Sequence, residues 1–410
     1  MYTYKVMLLP NNKQQTRLFQ TAGAVRFAYN WAIDYEYQNY KNDEKYVSDG
    51  ALRKIFTQLK QQDDYMWLNS VSNEALKQAI KDACNAYIRY LKGVTDRPRF
   101  KSKHKWLPKF YARYDNIEFT QSHVRLEKIA TNMKPNHRHL NWVKLAEKNR
   151  IPQGVKYYNP RITFDGLHWW ISVGVEKAEN AEKPMNDGIG IDLGIKDLAI
   201  CSDEVTYKNI NKSPKVKKLK KKLRREQRKI SRKMNADIIC YKQVGDKRYP
   251  MFDMPLEQCR NYQKQKLTIL KIHQRLSNIR QNYLQQTTTE IVNRKPKFIV
   301  LEDLNVRGMT KNRHLAKAIQ EQGLYEFRRI MTYKCEWNNI QLIIADRFFP
   351  SSKTCSCCGV INRNLKLRDR TFVCPECGFE INRDYQAALN LQNYGQKLAN
   401  KREGEVLLAG

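Results

Sequence analysis

Two Cys-x-x-Cys pairs, Cys355–Cys358 and Cys374–Cys377, are separated by 15 residues, and a glycine follows each pair. A two-residue gap lets both thiolates of a pair turn onto one ion, and four sulfurs close a tetrahedral zinc site with no open position. The spacing therefore predicts a short ribbon folded around one structural zinc. Gly359 and Gly378 would supply the positive φ that each tight knuckle needs. Cys357 is a fifth cysteine inside the first knuckle, and the Cys-x-x-Cys-Gly register selects Cys355 and Cys358 over it. Seven residues past the last cysteine stands Asp384, in Asn382-Arg383-Asp384-Tyr385-Gln386-Ala387-Ala388. A metal ribbon beside a lone carboxylate at a predicted helix start raises the question of that acid's partners.

With 410 residues the chain is long enough for two or three domains. Its 75 Lys and Arg against 41 Asp and Glu give a net charge of +34, the footprint of a polyanion binder. No apolar stretch approaches the ~20 residues that span a bilayer. The N-terminus lacks a basic segment followed by an apolar signal core. The remaining cysteines (84, 201, 240, 259 and 335) show no framework spacing and read as reduced thiols of a cytoplasmic protein.

Residues 2–9 alternate as a strand, closed by Pro10. Leu18, Ala22, Val25, Tyr29 and Ala32 then recur at helical spacing. Ser48 would cap a second helix carrying Leu52, Phe56 and Leu59, and a third begins near Ser72 with Leu76, Ala79, Ala83, Tyr87 and Tyr90. The run 95–105 mixes Arg97, Arg99 and Lys101 with Phe100 and shows no apolar face. Residues 107–176 read as strands, and the first part ends near Lys183-Pro184. Residues 212–233 hold 13 Lys or Arg and one Glu, yet Val216, Leu219, Leu223 and Ile230 form a helical seam. A second helix over roughly 256–292, with Leu267, Leu270, Leu276 and Ile279, is its expected antiparallel partner. One helix is expected around 315–338, a strand over 341–345, and a weakly patterned tail from 395.

Asp192 and Glu302 each lie near the end of a short apolar strand, and Asp384 starts a helix. Strand ends and helix starts can converge on one site in a sheet flanked by helices. Three converging carboxylates repel one another, so their natural partner is Mg²⁺, which takes oxygen ligands and keeps water positions open. Two such ions would suit a phosphodiester displacement. A single acid after a strand is more often a turn former, as Asp187 and Asp197 illustrate. Strand alternation puts Glu302 and Asp303 on opposite faces, and the pattern alone does not choose between them.

Four segments together resemble the RuvC-type nuclease motifs and ribbon of transposon-encoded TnpB proteins, the compact relatives of type V CRISPR effectors. They are Gly190-Ile-Asp192-Leu-Gly-Ile-Lys-Asp-Leu-Ala, Val300-Leu-Glu302-Asp-Leu-Asn, Pro350-Ser-Ser-Lys-Thr-Cys355-Ser-Cys-Cys358-Gly and Asn382-Arg-Asp384-Tyr-Gln-Ala-Ala-Leu-Asn390. The resemblance is specific over about 188–395 and extends loosely to Gly23-Ala-Val-Arg-Phe-Ala-Tyr-Asn30. It implies Asp192, Glu302 and Asp384 as catalytic, magnesium-binding acids, choosing Glu302 over Asp303. It also implies Cys355, Cys358, Cys374 and Cys377 as zinc ligands.

The expected fold is an α/β RNase H-like (RuvC-like) nuclease domain with an inserted zinc ribbon, behind an N-terminal β-barrel-like wedge with a helical recognition insert. The boundaries are 1–10 and 96–185 for the wedge, 11–95 for the insert, 186–350 and 380–395 for the nuclease domain, 351–379 for the ribbon and 396–410 for the tail. A basic helical hairpin occupies about 212–292 of the nuclease domain. The implied activity is RNA-guided cleavage of double-stranded DNA beside a short target-adjacent motif, by a monomer holding a guide RNA near the nucleoid. Asn73, Lys77, Arg97, Arg99, Lys101, Lys217, Lys218, Arg224 and Arg225 are the expected nucleic-acid contacts. A compact type V CRISPR effector, a nuclease-inactive RNA-guided repressor and an RNase H-like transposase are the rivals. The repressor should lack an acid, and the transposase should end its series in Glu and carry a helix-turn-helix, which does not stand out here.

Overall fold

The computed structural model describes residues 1–42, 45–103, 105–129, 140–176, 184–366 and 368–408, with side chains through 400. The chain divides into two compact units, Met1–Glu179 and Asn180–Gly410. Lys183, at the junction expected from sequence, lies outside the described residues.

In the first unit, strands β1 (Tyr2–Leu9), β2 (Lys109–Tyr111), β3 (Glu118–Phe119), β4 (His123–Arg125), β5 (Trp142–Leu145), β6 (Tyr157–Phe164) and β7 (Trp169–Val175) form one antiparallel sheet. Its order is β2-β6-β7-β1-β5-β4-β3, so β2 and β3 are its edges among the described residues. Helices α1 (Asn12–Lys41), α2 (Asp49–Leu59) and α3 (Asn73–Leu91) interrupt the sheet between β1 and β2. Asn11 and Gln14 close a capping box on α1, and the Ser48 side chain caps α2, as its position in the sequence suggests. Leu18, Val25, Ala32, Leu76 and Ala83 join Val6, Leu8, Trp169 and Ile171 in one core.

In the second unit, β8 (Ile189–Leu193), β9 (Asp197–Cys201), β10 (Thr206–Lys208), β13 (Phe298–Glu302) and β14 (Gln341–Ala345) make a sheet of order β10-β9-β8-β13-β14. Strands β8, β13 and β14 run parallel, β9 is antiparallel to β8, and β10 is antiparallel to β9. Helices α4 (Pro214–Ala236) and α5 (Arg260–Asn293) form the basic hairpin. Val216, Leu219 and Leu223 meet Ile272, Leu276 and Ile279 there, while Leu267 is exposed and off the seam. Between these helices lies a ribbon that periodicity does not reveal, β11 (Ile238–Val244) paired with β12 (Lys247–Phe252). It exposes Ile239, Tyr241, Val244, Tyr249 and Met251, so it has no buried face to leave an alternating signature.

After β13 come a short turn of helix α6 (Val306–Met309), then α7 (Ala316–Gln322) and α8 (Leu324–Trp337). The pattern over 315–338 predicts one helix. Gly323 at φ 73° divides it, since that conformation ends one helix and starts the next. The cysteine ribbon carries the hairpin β15 (Thr371–Val373) and β16 (Glu380–Asn382), which runs directly into α9 (Arg383–Leu408). Helix α9 thus continues into the expected tail as far as Leu408.

Glu36 on α1 is almost fully buried, and among the described residues its Oε1 has no hydrogen-bond partner. Burial raises its carboxyl from the ordinary 4.5 to about 7, against one opposing hydrogen bond from the Val47 amide. Between those values the folded chain keeps a proton that the unfolded chain releases, so stability falls as pH rises through this window. Glu36→Gln should remove that loss and stabilise the protein by roughly 1–2 kcal/mol at pH 8, with little gain near pH 4. Urea unfolding at both pH values checks this, and an equal effect at both would exclude the titration.

Candidate functional site

The parallel register of β13 with β8 pairs Leu301 with Ile191. One residue further along, Glu302 and Asp192 therefore stand side by side at the ends of neighbouring strands. Alternation decides where they point. Ile191 and Leu301 enter the core shared with Phe327, Ile330 and Met331 of α8. Phe298 and Val300 face the opposite way and pack with Leu391 of α9. Asp192 and Glu302 have the parity of the α9 face, and Asp384 occupies the first turn of α9. Asp303 takes the other side, where Arg328 of α8 (2.8 Å) and Arg347 hold it. Those arginines keep its carboxyl below the usual range.

The three acids interact electrostatically. Burial pushes the Asp192 carboxyl well above its ordinary value, the charges of Glu302 and Asp384 add to the rise, and Arg383 opposes it. The Ser351 hydroxyl donates to Glu302 Oε1. Arg383 lies 3.0 Å from one oxygen of Asp384, and Arg370 3.8 Å from the other. Among the described residues only the four ribbon cysteines bring three or more acid, histidine or cysteine ligand atoms within 4.8 Å of one another. The three carboxylates do not all come that close to one another. Arg383, Arg370 and Ser351 are not singled out by the sequence. Only Arg383 leaves a signal there, being adjacent to Asp384.

Cys355, Cys358, Cys374 and Cys377 could hold one metal ion. Cys355 and Cys377 Sγ atoms lie 3.7 Å apart, and those of Cys358 and Cys374 3.4 Å. Gly359 and Gly378 have φ of 78° and 68°, which closes both knuckles. The Cys377 amide donates to Cys374 Sγ and helps lower that thiol to about 6, while the thiols of Cys358 and Cys377 are shifted up. Cys357 is exposed and outside the cluster.

Lys217, Lys218, Arg224 and Arg225 all sit on the exposed side of α4. In the first unit Arg97 and Arg99 are exposed, and Arg97 lies 3.8 Å over the Tyr37 ring. Asn73 accepts from Lys60 and Lys77 pairs with Glu74. Lys101 departs from the exposed set. Its ammonium packs 3.0 Å over Tyr29, and burial lowers it to about 7. Asn30, at the end of the Gly23–Asn30 segment, fixes the Lys101 backbone through two hydrogen bonds of 3.0 and 2.8 Å.

A parallel core with antiparallel edge strands, a helix delivering a third acid and an inserted cysteine ribbon define a RuvC-like nuclease fold. Consistent with it, a solved Cas12f1–sgRNA–target DNA complex aligns at TM-score 0.56 and 14% identity, over 92% of this chain and 83% of that one. Three family models match: OrfB_IS605, described as "Probable transposase", over 171–313; the Cas12f1-like TNB domain over 325–391; and HTH_OrfB_IS605, a helix-turn-helix domain, over 1–45. Residues 1–42 nevertheless fold as one strand and one continuous helix. A provisionally named RNA-guided DNA endonuclease from Streptomyces pristinaespiralis is 27% identical over 95% of this chain and 88% of its own length. One from Escherichia coli K12, InsQ, is 26% identical over 95% and 90%. Along the matched segments the chain is similar to the OrfB proteins of IS605 type, the TnpB-like group.

Purified protein should contain one tightly held metal ion. Cys374→Ala should lose both the ion and stability, because metal binding here is coupled to folding. Cys357→Ser should keep the ion, and elemental analysis that found it gone would mean the knuckle uses the other register.

Charge reversal at Lys217, Lys218, Arg224 and Arg225 should weaken nucleic-acid binding and flatten its salt dependence by ~0.9 for each phosphate that is no longer neutralised. An unchanged slope in a binding titration would make α4 a merely solvated face.

Proposed function

We propose that this protein is an RNA-guided, metal-dependent endonuclease that cuts double-stranded DNA beside a short target-adjacent motif, in a transposon setting. The observation that carries the reading is the common face of Asp192, Glu302 and Asp384, at two strand ends and one helix start. The names of relatives that align along 95% of the chain support it.

The all-oxygen donor set fits a hard divalent ion, whose charge would offset the burial and the neighbouring Glu302 and Asp384 charges that raise the Asp192 carboxyl. Asp192, Glu302 and Asp384 would hold magnesium, as two ions, which when bound would stabilise the attacking and leaving oxygens of a phosphodiester. Arg383 and Arg370, now on Asp384, can turn toward the scissile phosphate. Cys355, Cys358, Cys374 and Cys377 would hold one structural zinc, since four thiolates leave no position for substrate.

Guide pairing supplies sequence specificity, and the protein holds the heteroduplex by its backbone. Lys217, Lys218, Arg224, Arg225, Arg97 and Arg99 carry phosphate contacts, with Asn73 and Lys77 as candidates for reading the target-adjacent motif. The first unit serves as a barrel-like wedge with 11–95 as its recognition insert. The working form is a monomer with its guide RNA, in the cytoplasm at the nucleoid. Among the described residues no helix is long and apolar enough to cross a membrane.

Each of Asp192→Ala, Glu302→Ala and Asp384→Ala should reduce cleavage of a guide-matched duplex in Mg²⁺ by at least ~10³-fold, because groups acting as one unit fail together. Guide and target binding should persist in all three. Asp303→Ala should stay within about tenfold of the parent, since its carboxylate serves two arginines on the other face. Normal cutting by Glu302→Ala would overturn the assignment, and joint loss of binding and cutting in all three would make the acids structural.

A further inference from the structure

Between the strand that ends at Ala345 and the first ribbon cysteine lies the segment 346–354. Its conformation is set by two buried amides of α9. Asn390 Nδ2 donates to the carbonyls of Ser351 (2.7 Å) and Thr354 (2.6 Å). One turn earlier, the Gln386 amide also donates to the Thr354 carbonyl, while its Oε1 accepts from Ser356 Oγ at 2.9 Å. Gln386 and Asn390 are 0% and 4% exposed and Ser351 is 5% exposed, so water does not substitute for these bonds. The segment closes on itself as well, with Lys353 and Thr354 amides both donating to the Pro350 carbonyl. Its outcome is one side chain: the Ser351 hydroxyl donates to Glu302 Oε1.

We infer that Gln386 and Asn390 staple the ribbon's entry segment to α9 so that Ser351 acts as a positioning residue for Glu302, tying metal affinity at the acids to the seating of the ribbon. The inference rests on the metal-dependent reading above. The physical reason is economy of reference points. Asp384 and both amides belong to one helix, so the element that delivers one acid also aligns the holder of another. A hydrogen bond from Ser351 occupies one lone-pair direction of Glu302 and restricts its rotamers, leaving its other oxygen free for a cation. Cys355 adjoins Thr354, and its amide donates to the Val360 carbonyl inside the knuckle. Any shift of that knuckle therefore passes through Thr354 to Ser351.

The test uses the full chain with its guide RNA, and Mn²⁺ as a spectroscopic probe. Ser351→Ala should weaken Mn²⁺ binding, read by electron paramagnetic resonance, about tenfold or more, and raise the Mg²⁺ half-saturation of cleavage in parallel. Guide binding, ribbon metal content and melting temperature should stay near the parent's. Ser351→Thr, which keeps the hydroxyl, should restore both metal readouts. Asn390→Asp preserves shape but sets an acceptor against two carbonyls, and it should reproduce the Mn²⁺ defect with the ribbon metal retained. Parent-like Mn²⁺ affinity in Ser351→Ala would overturn the inference while the parent still binds Mn²⁺ and cuts. A parent that neither binds Mn²⁺ nor cuts would instead overturn the metal-dependent reading itself, and this inference with it.

Discussion

The site depends on how closely α9 lies against the sheet. A Cβ at position 190 would come 2.1 Å from the Ala388 carbonyl oxygen and 2.4 Å from the Gln392 nitrogen. From the helix side, a Cβ at position 395 would meet Phe298 and Val300 side chains at 2.4 and 2.6 Å. Gly190 thus lets the strand approach the helix backbone, and Gly395 lets the helix approach the Phe298 and Val300 side chains. Gln392 completes the contact by donating to the Gly188 carbonyl at 2.6 Å. Were the helix pushed outward by one side chain, Asp384 would leave the level of Asp192 and Glu302.

That closeness sets an electrostatic problem that the fold answers only in part. Burial raises the Asp192 carboxyl above its ordinary value, and the charges of Glu302 and Asp384 add to the rise. Arg383 and Arg370 offset the charge of Asp384, and Ser351 occupies Glu302. On the metal-dependent reading proposed above, a divalent cation would supply the positive charge that these oxygen donors lack. The chain's net charge of +34 works at longer range, drawing phosphates toward a protein whose acidic centre would otherwise repel them.

Local patterning announces most elements of the second unit, because apolar runs such as Phe298–Leu301 and the seam of α4 are buried where they fold. It fails where burial is absent or where one backbone angle decides. The ribbon β11–β12 has mostly exposed residues and no alternation to read. The break between α7 and α8 rests on Gly323 alone, which a helical pattern tolerates on paper. Lys101 looks like one cation among several in a basic run, and only the folded chain lays it on Tyr29.

The chain itself determined the cysteine cluster, since four thiols at that spacing leave one economical arrangement, and it determined the three acids as the ends of recognisable elements. The choice of Glu302 over Asp303 came from family resemblance, and the tertiary structure adds that the two carboxylates lie on different faces of the sheet. Parallel pairing sets the register, alternation assigns the faces, and α9 and α8 cover different faces, so one carboxylate joins the acids and its neighbour joins two arginines. Ser351, Gln386 and Asn390 belong wholly to the tertiary level. Their bonds span up to 49 residues of sequence, and no local propensity encodes a partner that distant.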